Sequence, residues 1–159
     1  MTTGNRQLMT GQKGFTLFLA IVIAAALLLI ASSMASLAIR QSYIANAGRE
    51  SQLAFYAADT AMECALYWDV HNPSGNTAFD TSTGTTVYCN YTPSNPGNHW
   101  VVGGALSSTM GTITFLPNPY CATARVVKNG ATTLIEAKGY NTCDAANPRR
   151  VERAVRATY

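Results

Sequence analysis

Hydrophobic positions along the chain change their spacing twice. From Phe15 to Ile39 the sequence is predominantly apolar and carries no charge, glycine or proline. A run of about 25 residues, at ~1.5 Å per residue, exceeds the ~30 Å hydrocarbon core of a bilayer. This predicts a membrane-spanning helix over 15–39. From Arg40 the pattern becomes amphipathic: Phe55, Ala58, Met62 and Leu66 recur at helical spacing on one side, with Arg49, Gln52, Tyr56 and Glu63 around an adjoining side. No proline falls between 15 and 68, and the lone Gly48 costs only ~1 kcal/mol in a helix interior. One helix over 15–68 is therefore expected, its outer part, 40–68, packing on a domain. Residues 69–84 turn to Asn, Pro, Ser, Gly and Thr, and His71-Asn-Pro-Ser-Gly makes a turn-rich exit into a connecting loop. After that the period is that of strands, with β-type segments at 85–91, 99–102, 112–116, 121–128, 132–138 and 151–159. Asn129-Gly130 offers the positive φ angles of a two-residue hairpin turn, so the strands on either side should pair antiparallel. In the last segment Val151, Val155, Ala157 and Tyr159 share a face that Arg153 interrupts, and Arg150, Glu152 and Arg156 share the other. The predicted class is α+β: a long N-terminal helix packed on a small antiparallel head at 85–159.

Composition narrows the function. A chain of 159 residues holds one modest globular domain plus a long segment. Charged residues are 12% of it and the net charge is +3, of which Arg6 and Lys13 supply two, so the remainder is near neutral. Nucleic-acid binding through a broad basic field is not expected. With no acid beside them, Arg6 and Lys13 hold the N-terminus in the cytoplasm and send everything after Arg40 outward. Cys64, Cys89, Cys121 and Cys143 then lie on the exported side, where an even number favours disulfides; no zinc-type Cys/His spacing occurs, and no cofactor or metal is expected. Four cysteines allow three pairings. The preferred one is sequential, Cys64 with Cys89 to staple the helix end to the first strand and Cys121 with Cys143 to close the loop around Asn129-Gly130.

The junction Lys13-Gly14-Phe15-Thr16-Leu17 lies where the polar leader, 1–14, meets the apolar helix. A processing enzyme at the membrane surface needs a small residue before its cut, which Gly14 supplies. Lys13 holds the junction at the cytoplasmic face, and Phe15 would become an apolar N-terminus able to enter a bundle of like helices. Here the sequence resembles the type IV pilin and type II secretion pseudopilin superfamily, whose signature is Gly followed by Phe-Thr-Leu and a long apolar helix. A second stretch, Ala54-Phe55-Tyr56-Ala57-Ala58-Asp59-Thr60-Ala61-Met62-Glu63, is similar to the Phe-x-Ala-Ala-Glu-x-Ala pattern of minor pilins. The resemblance implies a pilin fold, cleavage after Gly14 by a prepilin peptidase, and methylation of Phe15. It implies as partners other pilin or pseudopilin subunits, the peptidase, an inner-membrane assembly platform, and lipid before assembly, with Thr16, Leu17 and Leu19 in the assembly segment. The protein would be a single-pass inner-membrane precursor that ends in a pilus, a pseudopilus or at the cell surface. Two positions depart from the family pattern. Leu19 stands at the fifth mature position, where most members have Glu, and Ser36 stands near the usual helix-weakening proline. A neutral residue at 19 avoids a buried charge without a partner and points to a minor or initiating subunit.

The same residues admit other readings. Ser33-Met34-Ala35 satisfies the small-x-small rule for a secretory signal cut after Ala35, and the apolar run alone would also serve a signal-anchored binding protein. His71 or His99 with Asp80 lacks a nucleophile-elbow sequence, so no catalytic residue and no enzyme activity are expected. Asp59 and Glu63 share a helix face with no second helix to supply matching ligands, and read as solvated. Arg149, Arg150, Arg153 and Arg156 could form the basic stripe of a DNA-uptake receptor, but Glu152 interrupts them and alternation separates Arg153 from Arg150 and Arg156.

Overall fold

A computed structural model describes residues 13–72 and 75–159. The leader before Lys13, including Arg6, and Pro73-Ser74 of the turn-rich exit lie outside the described residues. The architecture is α+β: helix α1 (Lys13–Val70) is followed by strands β1 (Gly84–Tyr88), β2 (His99–Gly103), β3 (Ser107–Thr114), β4 (Cys121–Asn129), β5 (Thr132–Tyr140) and β6 (Glu152–Thr158). Two compact units divide the chain, Met1–Ala45 and Asn46–Tyr159. The described part of the first is helix alone, and its large apolar side chains are exposed, among them Phe15, Leu17, Leu28, Leu29 and Ile44. It is long and apolar enough to cross a membrane.

Inside the second unit the end of α1 lies on antiparallel sheets. β1 pairs with β2, and β3 to β6 form a four-stranded meander in sequence order. The helix face that meets the sheet consists of Ala54, Ala57, Ala58, Ala61, Met62 and Ala65, all buried. Of the face expected from the sequence, Ala58 and Met62 are buried, but Phe55 is 47% exposed and Leu66 only partly covered. The reason lies opposite. Gly139 of β5 is buried, and a β-carbon there would overlap the Ala54 carbonyl oxygen and the Ala58 nitrogen, so the helix backbone rests on the strand backbone and only small residues fit between. The larger side chains of the remaining core are Phe79, Val87, Val102, Met110, Ile113, Val126 and Ile135. Phe79 comes from the connecting loop, which is thus anchored despite its polar composition.

The hairpin at Asn129-Gly130 forms with a shifted turn. Asn129 pairs with Thr132 at the end of the ladder, leaving Gly130 and Ala131 as the turn residues, and only Gly130 has positive φ, at 60°. That is the arrangement of a type II′ turn with glycine first, not two positive-φ residues at Asn129 and Gly130. β3 also begins earlier than its apolar pattern suggests. Its first turn inward is Ser108, buried because its hydroxyl oxygen accepts the Gly103 N–H at 2.9 Å.

Candidate functional site

Gly14 and Phe15 sit in the first turn of α1; a β-carbon at Gly14 would meet nothing within 4 Å, and the Phe15 ring is 70% exposed. Leu17 and Leu19 follow on the same exposed helix. The helix runs through Ser36 without a break. The three serines of the apolar run, 15–39, are hydrogen-bonded within the helix: Ser32 donates to the Leu29 carbonyl at 2.9 Å, Ser33 to Ile30 at 2.7 Å, and Ser36 to Ser33 at 2.9 Å.

The cysteines behave as two pairs of different character. Cys64 on α1 is joined to Cys89, just beyond β1, with Cα atoms 6.0 Å apart. The expected partner of Cys121 is Cys143; the structure instead keeps both as thiols, Cys121 buried at the start of β4 and Cys143 exposed. They are neighbours. Burial first, then a hydrogen bond and charge interaction with Cys143, push the Cys121 thiol up to about 12, with Arg150 opposing. A thiol so raised is a poor nucleophile near neutrality. Reducing Cys64–Cys89, whose partners are 25 residues apart, should cost about 3 kcal/mol of head stability in the loop-entropy description. Urea denaturation of the full chain with and without reductant measures this.

A buried polar cluster closes the head. Both carboxylate oxygens of Asp69, in the last turn of α1, meet the Lys128 ammonium, at 2.6 and 2.7 Å, and Asp69 also accepts hydrogen bonds from the Thr77 and Tyr159 hydroxyls. Lys128 donates further to Thr133 Oγ1 at 2.8 Å. One carboxylate therefore ties together the helix end, the connecting loop, the β4–β5 hairpin and the residue after β6. Burial acts to raise its pKa, but the hydrogen bonds from Lys128, Thr77 and Tyr159 and the Lys128 charge outweigh it and hold it below 3.8. Burial and the bond to Asp69 push the Tyr159 phenol up. Nothing in the sequence pattern marks Asp69, because its partners are separated along the chain.

The remaining candidates do not converge. Asp80 accepts bonds from the Ser82 N–H and hydroxyl and caps its own turn. His71 stacks on Tyr67 and His99 on Tyr88. Among the described residues no group of three or more His, Cys, Asp or Glu could hold a metal ion. The arginines scatter: Arg153 donates to Ser51 Oγ at 2.8 Å, Arg150 lies 3.8 Å over the Tyr140 ring, and Arg156 stands in register with Glu136, which in turn faces Arg125. Arg125, Glu136 and Arg156, together with the Lys138–Glu152 ion pair, make a mixed-charge outer sheet face, while Arg153 lies on the helix side, so no basic stripe forms. Comparison with protein-family models, with curated proteins and with solved structures gave no match.

Proposed function

We propose that the chain is a structural subunit of a type IV pilus or a type II secretion-like pseudopilus, made as an inner-membrane precursor, cut after Gly14 and methylated at Phe15. It has no catalytic role in this reading. The observation that carries it is the placement of the Lys13-Gly14-Phe15 junction at the start of an uninterrupted helix whose apolar side chains are exposed from Phe15 onward. A helix of this kind needs a partner of equal apolarity. Lipid serves first, through the membrane span, and neighbouring subunits serve after assembly. Because lipid already satisfies apolar side chains, association depends on close approach at small residues such as Ala24, Ala25, Ala26, Ser32, Ser33 and Ala35. With Leu19 in place of an acid, the helix brings no carboxylate into the bundle, which suits a minor or initiating subunit. On the exported side, exchange of the adjacent Cys121 and Cys143 thiols with an external disulfide, itself reduced to a dithiol, would close a second loop.

Mass spectrometry of the mature protein from its native host tests the reading. The expected N-terminus is N-methylated Phe15, and Gly14→Val should leave the leader attached and the subunit out of filaments. A mature chain starting at Ser36 would instead identify a secreted protein, and an intact Met1 leader a static signal-anchor; either outcome rejects the assignment.

A further inference from the structure

Six rings form a continuous surface beside the Cys64–Cys89 disulfide. Tyr67 stacks on His71 with centroids 5.8 Å apart and meets Trp68 edge-on at 5.7 Å; Trp68 lies 6.3 Å from Tyr88. Tyr88 in turn contacts Tyr91 at 5.4 Å and His99 at 6.0 Å, and Tyr91 approaches His99 at 6.2 Å. Such rings are normally covered, yet Tyr67, Tyr88 and Tyr91 are 54%, 47% and 52% exposed.

The backing is rigid. The disulfide fixes the helix to the end of β1, and Trp68 Nε1 donates to the Tyr88 carbonyl at 3.0 Å. The loop bearing Tyr91 is held by Asn98, which is 1% exposed: its amide donates to the Asn90 and Thr114 carbonyls, and its oxygen accepts the Thr114 N–H and hydroxyl. Rings fixed in this way lose little freedom when a ligand settles on them.

Charge selects the ligand. No Lys or Arg occurs from Glu50 to Ala124, and no charged residue of either sign from Thr81 to Ala124. A phosphate backbone, an anionic lipid headgroup or an acidic peptide finds no counter-charge on these segments. What borders the rings is hydrogen-bonding and carries no cation: Asn90, Thr92 and Ser94 are all exposed, and the one carboxylate alongside, Glu63 next to Tyr67 and His71, accepts hydrogen bonds and repels anions. Flat ring faces flanked by amides and hydroxyls match a sugar whose hydroxyls are all equatorial, since its axial C–H groups lie on aromatic faces while the hydroxyls reach sideways.

We propose that this surface binds a neutral, β-linked oligosaccharide of gluco configuration. The site belongs to the folded head and does not depend on the subunit assignment. The test is titration of the full chain, in a detergent without a sugar headgroup, with cellohexaose and hexa-N-acetylchitohexaose, followed by tryptophan fluorescence, to which Trp68 contributes. Saturable binding of at least one is expected with Kd below about 1 mM, weakened about tenfold or more by Tyr91→Ala and by Tyr88→Ala and retained by Tyr91→Phe. Far-UV circular dichroism checks the fold, and if Tyr88→Ala disturbs it the exposed Tyr91 pair decides. No saturable change with either sugar up to about 10 mM, unchanged affinity in Tyr91→Ala, or displacement of the sugar by a single-stranded oligonucleotide overturns the proposal.

Discussion

Replacing Asp69 by alanine should cost the head about 3–5 kcal/mol, the range found when one partner of a buried ion pair is removed. The Asp69 side chain is 3% exposed and the Lys128 side chain 16%, so the ammonium left behind cannot recover its lost partner from bulk water without the hairpin moving. The Thr77 and Tyr159 hydroxyls lose their acceptor at the same time. Double substitution Asp69→Ala with Lys128→Met should recover part of the loss, because the isolated charge goes with its partner. Urea denaturation of the full chain in detergent, read by tryptophan fluorescence, measures all three variants. A double variant no more stable than Asp69→Ala alone would show that hydrogen-bond geometry, not charge, dominates the cluster. The pH dependence has a definite sign. The folded pKa of Asp69 lies below its ordinary 3.8, so the unfolded chain binds the proton first and the contribution is complete above that value. It is lost as pH falls through the lower folded value. Asp69→Asn should therefore flatten the acid limb of the stability curve.

The helix and the strand order are legible because they rest on local periodicity. Phe15 to Ile39 is apolar by composition alone, and each later strand is bounded by Pro, Gly or Asn. What cannot be read depends on which distant residues meet. Phe55 has the spacing of an inward anchor of α1, but hydrophobicity does not report how closely a backbone approaches, and Gly139 reserves that face for alanines. The turn at Gly130 moves by one residue because pairing with Thr132 draws Asn129 into the β4–β5 ladder. Asp69 reads in the sequence as part of an exit from the helix, since its meaning comes from Lys128 and Tyr159, far along the chain.

The candidate sites divide in the same way. Gly14 and Phe15 are legible as a junction because a charge, a small residue and an apolar run are consecutive. The Cys64–Cys89 pairing is reachable from helix and strand order, since it joins adjacent elements. The aromatic surface is not. Its rings come from the end of α1 and the residue just past it, from β1, from the loop leading into β2 and from the start of β2, and no local spacing unites them. The absence of charge from Thr81 to Ala124, plain in the sequence, acquires meaning only once those rings share a surface.

Gly139→Ala should destabilise the head by about 3 kcal/mol, the upper end of what overpacking ordinarily costs. The added methyl meets backbone, not a flexible side-chain tip: beyond its overlap with the Ala54 oxygen and the Ala58 nitrogen, it would lie 3.0 Å from the Ala58 Cα. Relief requires α1 to lift from β5, and that uncovers neighbouring contacts of Ala57, Ala61 and Ala122. Backbone strain is not the cause, since Gly139 is not in the left-handed region. Gly48 supplies the opposite case within the same unit. It is helical, and a β-carbon added there would meet nothing within 4 Å, so Gly48→Ala should stabilise by up to about 1 kcal/mol through helix propensity alone. Opposite shifts of the urea midpoint for the two glycine-to-alanine changes are expected. Similar small effects at both would mean that α1 does not rest on β5 at the closeness described, and the alanine face of the helix would then lack its explanation.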